Sequence, residues 1–315
     1  MDFFTHLIIA VIISIFTLSS MPISLVLYAC IMAILADLDI FLEPLRKIFK
    51  SNLLAHKGIS HSIFYSGVIS FLTGGIFSLI TNESFLLAWF IGFLFYDLHI
   101  FLDFLTASKI PIFYPITKKR FRFFIDRAIN FPLALISVSI ILLYIILFFS
   151  WRELVFSDLY YYIIGFYVSY FAFRVFVKIM IKIKYPKSYK YIPGVFPFSY
   201  LLYNKSEINH SIYFKLISKN IFKNEKYTIY ETCISEKSLN MQLYLKAIKL
   251  IKKFPFGEKW DVKLPLFEEF KDKIILTLFF AESYVRGRCY SIIVIFNSTT
   301  KDVLELSQGF NRKIS

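Results

Sequence analysis

The chain has 315 residues, 57% of them hydrophobic, and a formal charge of +14, with a positive mean hydropathy. That composition excludes an ordinary soluble globule of this size and points to an integral membrane protein. The basic excess, with no nucleic-acid motif beside it, suits anionic headgroups or a phosphorylated substrate better than base readout.

Six apolar runs follow in chain order, at roughly 3–19, 21–36, 62–81, 84–105, 129–150 and 158–181. They predict about six transmembrane helices, the first two short for a full span. The opening stretch MDFFTHLIIAVIISIF carries an acid and a histidine where a secretory signal would carry Lys or Arg, so it reads as retained structure. Between runs two and three lie Arg46, Lys47, Lys50 and Lys57; between runs four and five lie Lys109, Lys118, Lys119, Arg120, Arg122 and Arg127. The other turns hold only Arg152. By the positive-inside rule, the N-terminus, both basic loops and the C-terminal region are then cytoplasmic, in a multi-pass protein of the cell (inner) membrane.

After the basic, Pro-containing exit KIMIKIKYPKSYKYIPGVFPFSY the pattern becomes that of a soluble module. SEKSLNMQLYLKAIKLIKKF has apolar residues at helical spacing behind a capping serine. KIILTLFFAESYV and CYSIIVIFN flank Arg286-Gly287-Arg288 and read as two strands joined by a tight turn. The fold expected is therefore an all-α polytopic membrane domain over 1–182, a basic juxtamembrane connector over 183–224, and a small cytoplasmic α+β domain over 225–315. Cys30, Cys233 and Cys289 are scattered without CxxC spacing, which argues against a thiolate metal site or a disulfide framework and for a reducing compartment.

The informative anomaly is that four of the five histidines lie in the first 99 residues, where ionisable groups are expensive and usually functional. His6 opens the first run, Asp37 and Asp39 in ADLDIFL close the second, and His56 and His61 in HKGISHS precede the third. Asp97, His99 and Asp103, in FYDLHIFLDFLT, lie near the end of the fourth. A topology drawn from Lys and Arg alone brings all of them to the same membrane face. His99 and Asp103 are four apart and share one helix face, so they can point two ligands at one metal, or the carboxylate can orient the ring. Asp97 is two residues from His99 and points elsewhere on a regular helix.

Each group has a plainer reading alone: an interfacial histidine, a carboxylate pair at a helix end, a buried hydrogen-bonded pair between helices. Together, imidazole and carboxylate without thiolate make the ligand set of hydrolytic Zn, Mn or Fe sites. His6, Asp37, Asp39, His56, His61, His99 and Asp103 suffice for two divalent ions, Zn foremost, with positions open for water whose pKa such a site lowers toward ~7. One of Asp37 and Asp39 can act as general base. Lys57, inside HKGISHS, is a further catalytic candidate, and Lys118, Lys119 and Arg120 can clamp a phosphate or serve as a lipid-surface anchor. His210 stands apart and reads as a surface residue. Ser60-His61-Ser62 lacks both a GxSxG elbow and a plausible triad spacing.

These pieces resemble the YdjM-type inner-membrane proteins. The likeness rests on Thr5-His6, DLD at 37–39 (with Ala36 where the family favours proline), HKGISHS at 56–62 (usually HRG with THS), HIFLDFLT at 99–106 and IPIFYPITKKRF at 110–121. It covers most of the first 125 residues and implies a metal-dependent hydrolase. The order His, Asp, His, His-xxx-Asp is also, more faintly, similar to zinc-dependent phospholipase C and single-strand nucleases, which implies phosphoester chemistry. The function expected is a membrane-bound metal-dependent hydrolase of a phosphoester or lipid headgroup at the cytoplasmic face, with membrane lipids and an anionic substrate as partners and no nucleic acid. The alternative is a metal-ion transporter or non-catalytic metal-binding scaffold. A transporter would want polar groups in the outer halves of these helices, where runs one to four have almost none.

Overall fold

A computed structural model describes residues 1–42, 56–128, 130–150, 159–223, 226–251, 260–285 and 287–312. Arg46, Lys47, Lys50, Arg152 and Arg286, used above for topology and for a turn, lie outside these described residues. The chain divides into two compact units, Met1–Phe173 and Arg174–Ser315.

The first unit is helical. A chain in hydrocarbon has no water to satisfy its amides, so each apolar run closes its hydrogen bonds within itself. The helices are α1 (Phe3–Leu18), α2 (Ile23–Leu35, continued by a 3-10 turn over Ala36–Leu42), α3 (Ile63–Thr81), α4 (Phe85–Phe104), α5 (Phe131–Ser150) and α6 (Leu159–Lys184), the last running into the second unit. Six helices thus stand where six spans are expected, but among the described residues only four segments are long and apolar enough to cross a membrane: Ile23–Phe41, Ile63–Thr81, Phe85–Phe104 and Leu159–Lys184. Phe3–Leu18 and Phe131–Leu147 are apolar but shorter. The 16 residues of α1 rise only about 24 Å at 1.5 Å each, against a hydrocarbon core of about 30 Å.

Local chemistry sets the ends. Asp2 caps α1 by accepting from the Thr5 amide at 2.9 Å. Asn82 ends α3 in the left-handed conformation, φ +59°, with its N–H on the Ser78 carbonyl. The chain then turns directly into α4, which packs against both α3 and α2. Gly74 makes the α3–α4 approach possible, since a Cβ there would lie 2.9 Å from the Trp89 backbone nitrogen. Ala29, Met32, Ala33, Ala88, Ile91, Phe95 and Ile100 fill the interior. α1 lies against α2 and α5, and Thr5 Oγ1 meets Ser137 Oγ at 2.9 Å. Beyond α4, Ile110 and Phe121 pair as an antiparallel bridge, and Phe123 and Ile125 donate to the Phe104 and Leu105 carbonyls. That loop is therefore folded back on the end of α4.

The second unit is α+β. β1 (Tyr189–Pro193), β2 (Ser199–Ile208), β3 (Ser211–Asn220) and β4 (Lys226–Ser235) form one antiparallel meander. After α7 (Leu239–Ile251), the strands β5 (Lys263–Phe270), β6 (Lys273–Phe280), β7 (Arg288–Asn297) and β8 (Val303–Arg312) form a second. Ser238 caps α7 through the Met241 amide. The stretch 183–224, read as a connector, carries β1, β2 and β3, and so departs from the expectation. Frequent lysines make it look like a linker, but Leu201, Leu202 and Tyr203 on β2 and Phe214, Leu216 and Ile217 on β3 are buried. The β2–β3 turn is the two-residue Asn209-His210, both at positive φ, as tight hairpins require. His210 is thus a turn residue.

Candidate metal centre

The end of α2, the start of α3, the end of α4 and the start of α1 meet at one end of the first unit. Asp37 comes from the 3-10 turn after α2, His61 from the short 3-10 turn Ile59–His61 ahead of α3, and His99 and Asp103 from one face of α4. One ligand atom from each of these four lies within 4.8 Å of all the others. His61 Nε2 is 3.1 Å from Asp103 Oδ2, 3.8 Å from Asp37 Oδ1 and 3.3 Å from His99 Nε2. His99 Nε2 is 3.5 Å from Asp37 Oδ1 and 3.9 Å from Asp103 Oδ2.

The surroundings decide which atoms face inward. His99 Nδ1 lies 2.8 Å from the Ala33 carbonyl, which can only accept, so Nδ1 carries the hydrogen and the Nε2 lone pair points into the cluster. His61, His99 and Asp103 are fully buried; Asp103 Oδ2 meets the Lys57 ammonium at 2.7 Å, while Asp37 Oδ1 has no hydrogen-bond donor among the described residues. A buried carboxylate oxygen without a donor beside an imidazole lone pair is an arrangement a cation satisfies and a neutral core does not. Two nitrogens and two oxygens fit a divalent ion of the Zn, Mn or Fe type.

The other expected residues stand around this group. His6 stacks on His99 with ring centroids 3.9 Å apart and places Nε2 3.3 Å from Asp103 Oδ1; its Nδ1 is buried without a partner among the described residues. Asp39 is drawn into the HKGISHS loop: it meets His56 Nδ1 at 2.5 Å, accepts from the Lys57 amide at 2.9 Å and from Ser60 Oγ, and lies 3.4 Å from His61 Nδ1. Asp39 and His56 therefore form a pair beside the four-residue cluster. The loop turns at Lys57, whose φ is +60°, and at Gly58, whose ψ of −131° lies outside the helical and extended regions. Asp97 points away, accepting from Ser66 on α3 at 2.6 Å.

Lys57 is buried, and its Nζ donates to Asp103 at 2.7 Å. Burial alone would lower its pKa, but Asp103 and Asp37 outweigh that and hold the ammonium above its ordinary value. His61 behaves alike: burial opposes its charge, while Asp103 and Asp39 on its two nitrogens raise its pKa above the usual histidine value. The Met1 amino group also contacts Asp103. Arg120 donates to the Lys57 carbonyl at 3.3 Å, which brings the folded-back loop to the site, whereas Lys118 and Lys119 are exposed.

A model of the YdjM inner membrane protein family matches residues 1–178. The chain belongs to that family. The match takes in every residue of the cluster, and the chain is accordingly an inner-membrane-type protein. No curated protein and no solved structure matches it.

Three groups contribute in ways the sequence reading does not assign, Ser60 being weighed there only as part of a triad. Ser60 Oγ contacts both Asp39 and His61 Nδ1, the latter at 2.9 Å. The Tyr96 hydroxyl donates to the Ser60 carbonyl at 2.9 Å. The Ala33 carbonyl sets the His99 tautomer. Tyr96 and His99 are three apart on α4, a spacing that could have suggested a shared face.

Proposed function

We propose that this YdjM-family chain is a membrane-bound metal-dependent hydrolase acting on a phosphoester, including lipid headgroups, at the cytoplasmic face. The observation that carries the reading is the convergence of Asp37, His61, His99 and Asp103 within 4.8 Å, with the buried Asp37 Oδ1 lacking a donor among the described residues. Those four residues would hold the ion, and His6 would back it through Asp103. When bound, a divalent ion supplies Lewis acidity and an activated water.

The chain's own residues supply the rest. Asp39 holds the HKGISHS loop through Lys57 N and Ser60 and fixes the His61 ring. The Asp39–His56 pair, with His56 about one-third exposed, is placed to pass a proton between the site and solvent. Lys57 brings a positive charge to the cluster, and Lys118, Lys119 and Arg120 add positive charge on the adjoining loop, which favours an anionic substrate. From Phe85 to His99, α4 rises roughly 22 Å, less than a hydrocarbon core of about 30 Å. This depth suits a substrate that slides in from the lipid as well as one arriving from water. The positive-inside rule supports the cytoplasmic orientation.

The test is release of phosphate or a phosphorylated headgroup from mixed micelles by detergent-purified protein. Release abolished by a chelator and by Asp103→Ala is the expected result. No turnover on phospholipid, isoprenoid phosphate or generic ester substrates, together with metal uptake into proteoliposomes, would replace this reading with a transporter.

A further inference from the structure

Arg174 is fully buried in α6, a helix long and apolar enough to cross a membrane. Its Nη1 donates to the carbonyls of Gly194 at 3.2 Å and Phe196 at 3.3 Å, and its Nη2 to that of Val195 at 3.2 Å. Three consecutive carbonyls of the β1–β2 loop thus close on one guanidinium. Asp158 in the sequence keeps the hydrocarbon from starting before about Leu159. About 20 residues at 1.5 Å then reach its far edge near residue 178, which leaves Arg174 about 6 Å inside. An unmatched guanidinium at that depth is expensive, and the loop carbonyls that match it lie there with it.

That loop displays aromatic rings. Phe196 is 44% exposed and stacks with Phe198 at 5.5 Å. Phe198 in turn meets Phe222 of the β3–β4 connection, 76% exposed, at 6.1 Å. The two loops are tied by the Ile221 amide on the Phe198 carbonyl. On α6, Val177 and Ile181 pack against Tyr191, Tyr200, Leu202 and Ile217, while Phe176, Ile179 and Ile183 remain exposed. Exposed Lys182, Lys184, Lys187 and Lys223 accompany this apolar surface.

We infer that the Gly194–Phe198 and Ile221–Phe222 loops form an aromatic wedge inserted in the membrane interface, its partner a bilayer containing anionic lipid. Aromatic tips suit the headgroup boundary, and lysines beside them suit lipid phosphates. The wedge continues the lipid-facing surface of α6, and Arg174 locks it at that level.

The test uses full-length protein in phosphatidylcholine–phosphatidylglycerol nanodiscs, with spin labels at Phe222→Cys, Phe196→Cys and, as a control on the β7–β8 turn, Thr300→Cys. Each is made in a Cys30→Ser, Cys233→Ser background. Phe222 and Phe196 are exposed, so labelling them removes no core packing. The ratio of collisions with oxygen to collisions with a water-soluble nickel chelate should be several-fold higher at 222 and 196 than at 300. Equal ratios at all three sites would overturn the proposal. So would labels at 222 and 196 shielded from oxygen as well as from the chelate, as beneath a protein partner.

Discussion

Lys57→Met separates charge from structure at the centre. The side chains are of similar length, and the left-handed backbone at Lys57, φ +60°, strains both residues alike. What is lost is an ammonium 2.7 Å from Asp103. At a separation of about 5 Å, its repulsion of a divalent ion is about 2 kcal/mol in a water-like dielectric and about 7 kcal/mol at an effective dielectric of 20. Even the smaller value exceeds the roughly 1.4 kcal/mol that makes a factor of ten in affinity. Lys57→Met should therefore bind Zn or Mn at least about tenfold more tightly, while turnover of an anionic ester falls because the attracting charge is gone. Competition against a chromophoric chelator with detergent-purified protein measures the first effect, and steady-state release of phosphate the second. Unchanged or weaker metal binding would refute the reasoning, since Asp103 would then not belong to a cation site.

His56→Ala should keep the bound ion but lose most turnover, because His56 pairs with Asp39 and stands outside the four-residue cluster; loss of metal on this change would make it a ligand. Ser84→Cys, exposed at the α3–α4 turn, should react with an impermeant maleimide in intact cells, and Lys118→Cys only after lysis; the reverse pattern would invert the proposed topology. Gly74→Val should destabilise the helical unit by about 1–3 kcal/mol, read as earlier thermal unfolding in detergent, because the new side chain meets the Trp89 backbone. An unchanged transition would show that α3 and α4 can part at no cost.

The helices were legible because hydrocarbon leaves a chain few choices. Expected runs at 62–81 and 84–105 became Ile63–Thr81 and Phe85–Phe104. β1 to β3 were not, because their burial comes in short runs, such as Tyr200 to Tyr203, that do not alternate cleanly with the lysines and so give no period-two signal. At the site, the four-residue spacing of His99 and Asp103 and the shared polarity of four helix ends pointed to the cluster. Spacing could not show that Asp39 turns to His56 and the Lys57 amide, or that Ala33 sets the His99 ring, since those contacts arise only when α2, α4 and the HKGISHS loop pack. Arg174 passed unnoticed, although a single arginine inside FAFRVFV is the kind of intramembrane charge that calls for a partner. Its partners are backbone carbonyls, which carry no residue signature.

The central claim is that Asp37, His61, His99 and Asp103 hold a divalent ion. Elemental mass spectrometry of the purified protein, with the double variant His99→Ala/Asp103→Asn taken through the same preparation, tests it most directly. The account predicts at least one equivalent of Zn, Mn or Fe per chain in the wild type and none above background in the variant, with helical circular dichroism retained in both. Equal metal content in the two, or none in a wild type dialysed against each of these ions, would contradict it.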